Sequence, residues 1–327
     1  MDRYLDYAAQ WKVSMSNDRN AFRYLCSHDL RAENPLHRRL TEMFDAIRRE
    51  TDGRLEVDVI PWGGTGPSKV TLTKLLDGEI AFHPVSGMPL STIVPIAAME
   101  GLPFAFDSEQ EACRIMDGEF GDLLRNEIAA KGLVVFPRNW PQGNNQITSS
   151  TRPIRTVEDL DGFRLRTAQV PYKIDLFRSL GCEAQPIYYQ AVYDNLKSGA
   201  ASGQETPYLY VEMDRFVEVQ KYLSVTNHRM GNFWLCANPE RWNALPADVR
   251  ASVTRNAEKY VGLFRADMER ENEAAAQRLK SRLDFNVADT SGFVTRLQEN
   301  GFYARWRREF GDKAWTLLEQ KRRRPLP

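Results

Sequence analysis

Two successive series of strand-like and helix-like runs constrain this chain more than any other feature. The first opens with an apolar strand over residues 22–27, then a helix over 34–49 that puts Leu36, Leu40, Met43, Phe44 and Ile47 on one face. Leu55, Val57 and Val59 then alternate with Arg54, Glu56 and Asp58, the period of a strand ending at Pro61. A helix over 68–77, a strand over 80–85, a helix over 112–124 and a strand over 133–136 complete the series. The alternation restarts after Asn139-Trp140-Pro141-Gln142-Gly143, with a strand over 163–167 and helices over 171–180 and 189–198. Such alternation predicts βαβ units around largely parallel sheets. Val249, Val253, Tyr260, Val261, Phe264 and Met268 recur at helical spacing, so a long helical segment runs over 247–283.

Charge and cysteine usage exclude several classes of function. Lys+Arg and Asp+Glu are equal at 44 each, so no global field favours nucleic acid or an anionic membrane. The run Lys321-Arg322-Arg323-Arg324 is expected to be a solvated tail. Cys26, Cys113, Cys182 and Cys236 lie too far apart in sequence for a compact zinc site, and the four histidines form no His-x-x-x-His pair. Gly63-Gly64-Thr65-Gly66-Pro67-Ser68-Lys69 lacks the ending of a phosphate loop, and Pro67 removes a donor that a phosphate cradle needs. No window reaches eighteen apolar residues. The start Met1-Asp2-Arg3-Tyr4-Leu5-Asp6-Tyr7 has two acids and no apolar run, so it does not read as a signal peptide. Unpaired cysteines fit a reducing compartment.

Two motifs point to a family. Val157-Glu158-Asp159-Leu160-Asp161-Gly162-Phe163-Arg164-Leu165-Arg166 is followed, after about thirty residues, by Gly199-Ala200-Ala201-Ser202-Gly203-Gln204-Glu205-Thr206-Pro207. Together they resemble the signature of the DctP family, the solute-binding proteins of TRAP transporters. Thr51-Asp52-Gly53-Arg54-Leu55-Glu56-Val57 and Gly101-Leu102-Pro103-Phe104 are similar to further family motifs, in the same order. The second signature departs from the family at Ser202, where Asp is usual, and at Thr206, where Asn is usual.

The resemblance implies a periplasmic-binding-protein-like α/β fold of two lobes, with a ligand cleft between them and a long C-terminal helix spanning both. Carried over, lobe one is 1–142 plus 232–271 and lobe two is 143–231 plus 272–327. It implies a small organic acid as ligand, delivered to the small and large membrane subunits of a TRAP transporter. It also implies a periplasmic location, with no cofactor, no metal and no chemistry. A cytoplasmic location stays open, as does a sensor of the same fold working without a transporter. An enzyme acting on a small acid needs a base paired with a nucleophile or metal, and no such constellation is present.

Arg166 is the central candidate. It lies near the carboxyl end of its strand, where open α/β sheets bind ligands, and a guanidinium meets a carboxylate with two parallel hydrogen bonds. From spacing alone, a surface ion pair with Asp159 or Asp161 is the favoured explanation. Under the resemblance it is the residue that grips the ligand carboxylate, and Arg164 is structural. Asn145 falls where some family members carry a second ligand-facing Arg; an amide can donate there without charge. Thr206 takes the place of a ligand-contacting Asn in some members, and Glu205 reads as a hydrogen-bond acceptor between elements. His28, after the first strand, falls at an expected cleft edge. Trp62, Trp140, Phe233 and Trp234 stand near strand ends or chain crossings and are candidate cleft walls. One Arg, Asn145 and aromatic walls together predict a monocarboxylate with an apolar or aromatic body.

Overall fold

The computed structural model describes residues 21–327. The expectations for residues 1–20, including the reading of the amino terminus, lie outside the described residues.

In chain order the described elements are β1 (Phe22–Ser27), α1 (Pro35–Glu50), β2 (Leu55–Ile60), α2 (Ser68–Leu76), β3 (Phe82–Ser86), α3 (Glu109–Met116) and α4 (Glu119–Ala129). They continue with β4 (Val134–Asn144), β5 (Gln146–Ser149), β6 (Arg164–Thr167), α5 (Pro171–Ser179), β7 (Glu183–Pro186), α6 (Val192–Lys197), β8 (Gly203–Thr206) and α7 (Tyr208–Met213). Then come β9 (Tyr222–Val225), β10 (Met230–Ala237), α8 (Pro239–Ala244), α9 (Ala247–Leu279), β11 (Asp284–Val287), α10 (Ser291–Glu299), α11 (Phe302–Phe310) and α12 (Asp312–Arg322). Short helical turns fill several of the connections.

The chain divides into two units. The first comprises residues up to Val85 with Arg125–Trp140 and Phe233–Asp267; the second comprises Ser86–Leu124, Pro141–Asn232 and Met268–Pro327. The carried-over boundaries differ from this division chiefly at 86–124, which the contacts group with the second unit. The local reason is visible there. Tyr303 Oη donates to Pro103 O at 3.2 Å, Phe104 N donates to His228 O at 2.9 Å, and Gly101 lies against the Arg229 guanidinium.

The first unit is built on a five-stranded sheet of order β2-β1-β3-β10-β4, in which β1 is parallel to both β2 and β3. Asn34 caps α1 by accepting from Leu36 N at 2.9 Å, and Pro35 occupies the first helical turn. The apolar face read from the sequence is the buried one: Leu36, Leu40, Met43, Phe44 and Ile47 all leave water, and Phe44 meets Phe82 of β3 with centroids 5.1 Å apart. Each such side chain contributes roughly 1.5–3 kcal/mol on burial.

The second unit carries a six-stranded sheet of order β11-β9-β5-β8-β6-β7. Strands β8, β6 and β7 are parallel neighbours, while β5 runs antiparallel to β8 and β9. A capping box joins Thr156 and Asp159 ahead of the turn Val157–Leu160, which fixes the chain's entry into β6. Val192, Leu196, Ala201, Val211, Phe216, Leu223, Leu279 and Leu283 form a core cluster on this sheet.

Three local expectations are corrected. The helix over 112–124 is two helices, separated at Asp117 and Gly118. The strand over 133–136 extends to Asn144. The basic C-terminus is no solvated tail: Arg324 pairs with Asp107 and Glu111, Lys321 with Glu119, and buried Arg322 donates to Pro325 O at 2.8 Å. Acidic side chains of the 107–119 segment supply the partners that a free tail would lack. Helices α11 and α12 bury Phe302, Tyr303, Phe310, Ala314, Trp315 and Leu318 beneath a dense basic surface.

Candidate functional site

Three sequence-predicted site residues belong to the second unit and stand on or beside three adjacent strands. The register pairs Gln146 with Thr206 and Arg166 with Gln204. Because β5 runs against β8, its amino end meets the carboxyl ends of β8 and β6. Asn145, Thr206 and Arg166 therefore share one edge of the sheet, the edge at which open α/β sheets take ligands.

Arg166 is buried, at 5% exposure. Its Nε and Nη2 both donate to Ile187 O, at 2.9 and 2.7 Å, and its guanidinium lies 5.6 Å from the Tyr189 ring centre. No carboxylate of the described residues forms an ion pair with it. The alternative partners are occupied elsewhere: Asp159 accepts from Arg155 N and Thr156 N, and Asp161 pairs with Arg296. Burial lowers its proton affinity, partly offset by the field of Glu205. An arginine stays charged even so. A buried cation held by a single carbonyl is a costly arrangement that an anion would relieve.

Beside it lies a polar cluster that the sequence reading largely missed. Glu205 accepts from Lys173 Nζ at Oε1 and from Asn145 Nδ2 at Oε2. His228 Nε2 and Arg229 Nη1 stand 3.5 and 3.6 Å from Oε2. Burial alone would raise the Glu205 carboxyl, but Lys173, His228 and Arg229 outweigh it and hold it well below the usual carboxylate range. Lys173 is pushed down to about 7, first by burial and then by Arg229, against the upward pull of Glu205. Burial likewise lowers His228. Glu205 thus has the acceptor role expected of it, and it is saturated. Asn145 reaches Glu205 by its side chain while its backbone N donates to Arg229 O at 2.8 Å. Thr206 is buried at the end of β8, directly before the Pro207 cap of α7.

A positional signal for Lys173 was present in the sequence. Lys173, Leu176, Phe177 and Leu180 have the i, i+3, i+4, i+7 spacing of an inward helical face, so the lysine falls on the apolar side.

The other five candidates belong to the first unit. His28 is buried, and both of its ring nitrogens are engaged. Its Nδ1 accepts from Leu30 N at 3.2 Å, so Nε2 carries the proton and donates to His37 Nδ1 at 3.0 Å. Trp62 has φ 56 and takes the Arg31 guanidinium 3.9 Å above its ring. It lines an open cavity of about 200 Å³ with Arg31, Glu33, Ile60, Pro61 and Gly64. Trp140 and Trp234 are fully buried, Trp140 against Phe264 and Trp234 near Arg125, and Phe233, next to Trp234 in sequence, is buried too. Among the described residues no group of three His, Cys, Asp or Glu side chains could hold a metal ion, and no helix is long and apolar enough to cross a membrane. Cys26, Cys182 and Cys236 are buried thiols outside any disulfide.

Two α/β units, one with an unpaired guanidinium at its strand ends, define a solute-binding architecture. A family model described as bacterial extracellular solute-binding protein, family 7 (DctP), matches residues 26–303, and the chain belongs to that family. It is 29% identical over 255 residues to a solute-binding protein of Chromohalobacter salexigens, covering 77% of this chain and 75% of the relative. It is 26% identical over 215 residues to the 2,3-diketo-L-gulonate-binding periplasmic protein of Escherichia coli, covering 66% of this chain and 65% of the relative. Among solved structures, a TRAP periplasmic solute-binding protein from Chromohalobacter salexigens with bound D-glucuronate superimposes with a TM-score of 0.86 at 25% identity. That match covers 92% of this chain and 99% of the other.

Proposed function

We propose that this protein binds a small organic acid, with the acid's carboxylate on Arg166, and hands it unchanged to the membrane subunits of a TRAP transporter. The observation that carries the reading is the state of Arg166: buried, fixed by Ile187 O, and without a carboxylate partner among the described residues. A ligand carboxylate would complete the charge pair that the fold leaves open. Family membership and the periplasmic names of relatives support a periplasmic site of action.

A thermal-shift screen against carboxylic acids, followed by calorimetry, tests this. Ligand raises apparent stability by mass action. At least one organic acid should raise the melting temperature, and Arg166→Ala should remove the response. Recovery of the acid chemically intact after long incubation separates carriage from catalysis. Binding unaffected by Arg166→Ala overturns the reading at this site.

A further inference from the structure

The polarity of the Asn145 amide is set by its neighbour. Glu205 is an acceptor-only partner, held ionised by Lys173, Arg229 and His228. The Asn145 group that faces it must therefore be the amine, Nδ2. Two side chains from other elements, Lys173 on α5 and Glu205 on β8, hold the amide in that sense. The carbonyl oxygen Oδ1 points the other way, buried and without a hydrogen-bond partner, in a residue only 4% exposed. Buried acceptors are rarely left unmade, and an orphan at a candidate site asks for a donor.

The sequence position therefore has the reverse of the character expected for it. Read from sequence, Asn145 offers a donor to a carboxylate or a hydroxyl. Held by Glu205, it offers a carbonyl oxygen, which repels a carboxylate and accepts from a hydroxyl. Arg166 and Asn145 share one edge of the sheet, so a cation suited to a carboxylate and a carbonyl suited to a hydroxyl stand at the same strand ends. We propose that Asn145 is the specificity residue of this site. Its Oδ1 accepts from a ligand hydroxyl, so the site takes a hydroxylated monocarboxylate of the sugar-acid class and disfavours a second carboxylate. The proposal rests on the organic-acid reading above and replaces the apolar or aromatic acid expected from the sequence. Lys173 is then a positioning residue, acting on the ligand through Glu205 and Asn145.

Calorimetry with D-glucuronate and succinate, on the wild type, Asn145→Ala, Asn145→Arg and Arg166→Ala, tests it. Melting curves confirm folding. The wild type should bind D-glucuronate at least tenfold more tightly than succinate, the range expected when a buried acceptor is left unmade. Asn145→Ala should lose about tenfold to a hundredfold for D-glucuronate and much less for succinate. Asn145→Arg should shift the preference toward succinate. Tighter binding of succinate by the wild type overturns the proposal, and so does an unchanged ratio in a folded Asn145→Ala protein. If neither variant folds, the wild-type ratio alone decides. Loss of both acids in Arg166→Ala with a ratio insensitive to Asn145 refutes only the hydroxyl assignment. Full binding in Arg166→Ala refutes the organic-acid reading itself, and binding of neither acid by the wild type counts against both.

Discussion

Lys173 Nζ donates to Glu205 Oε1 with both side chains sealed from water, at 1% and 5% exposure. The pair joins the first turn of α5 to β8, and it sits among other cations. Arg229 and Arg166 both disfavour the charged lysine, and burial disfavours it most. The ammonium accordingly titrates near neutrality, at about 7, whereas an exposed lysine does so near 10.4.

This gives a pH dependence with a definite sign. Between about 7 and 10.4 the unfolded chain holds a lysine proton that the folded protein has lost, so this group makes stability rise with pH in that window. Ligand binding runs the other way. An anion beside the cluster favours protonated Lys173, so affinity should fall as pH rises past about 7, by up to about tenfold per pH unit while one proton is taken up on binding. Calorimetry from pH 6 to 9 in buffers of different ionisation enthalpy reads both the affinity and the proton. Lys173→Met should give a flat profile. An equally steep profile in that variant would assign the titration elsewhere.

Arg166 should dominate affinity. Removing one partner of a buried charge pair costs about 2–5 kcal/mol, roughly 30-fold to several thousand-fold. Arg166→Ala should nearly abolish binding of any acid that the wild type takes, with the circular dichroism spectrum unchanged. Arg166→Lys should recover only part, because an ammonium cannot reproduce the planar fork that also grips Ile187 O. Arg164 is exposed and reaches only Ser202 Oγ at 3.5 Å, so Arg164→Ala should change affinity by less than about threefold.

Strands β1–β4 and β6 were legible in sequence because they alternate or run apolar between turn residues, as in 55–60 and 164–167, whereas β5 and β7–β11 were not identified. The position proposed for the ligand carboxylate, Arg166, was placed by the motif that ends there. Its neighbours were not. Asn145 could be placed, but the sense of its amide depends on Glu205, sixty residues away in sequence, which no local pattern encodes. Arg229 follows His228 in a non-periodic stretch, so nothing in its spacing marks it as buried. Helices α11 and α12 were hidden for a different reason: Arg and Lys crowd 305–324 and mask the apolar face that Phe302, Phe310, Trp315 and Leu318 bury.

The first unit should be acid-sensitive through His28. Burial is the first cause that lowers His28 and His37, with His37 and His83 adding to it at His28. Below about 6.5 the unfolded chain takes up a proton that the folded His28 refuses, so stability falls as pH drops through that value. Protonation at Nδ1 would also break the bond from Leu30 N, and the proton on Nε2 already faces His37. Denaturant unfolding at pH 7.5, 6.5 and 5.5 should show a steep loss. His28→Gln should lessen it by at most about 1.4 kcal/mol per pH unit, the slope of one proton. Buried His83 and His228 carry the same sign and should keep a residual slope. An unaltered slope in His28→Gln would show that its ring does not exclude the proton.

Gly203 tests the packing that holds the site together. It opens β8, two residues before Glu205, where a Cβ would stand 2.1 Å from Thr148 O and 2.7 Å from the Phe163 ring. The first is backbone of the neighbouring strand β5, which cannot rotate away. Gly132 provides the contrast: its φ is +87, yet a Cβ there meets nothing within 4 Å. Gly132→Ala should therefore cost only the strain of a left-handed backbone, about 1 kcal/mol, whereas Gly203→Ala must spread β5 from β8 and should cost about 3 kcal/mol or more. Spreading those strands also separates Glu205 from Asn145, so Gly203→Ala should weaken ligand binding under conditions where the protein is still folded, and Gly132→Ala should not. Urea unfolding compares the two costs, and calorimetry below the melting transition compares the affinities. Equal destabilisation by the two substitutions would mean that the β5–β8 contact yields more easily than its geometry implies.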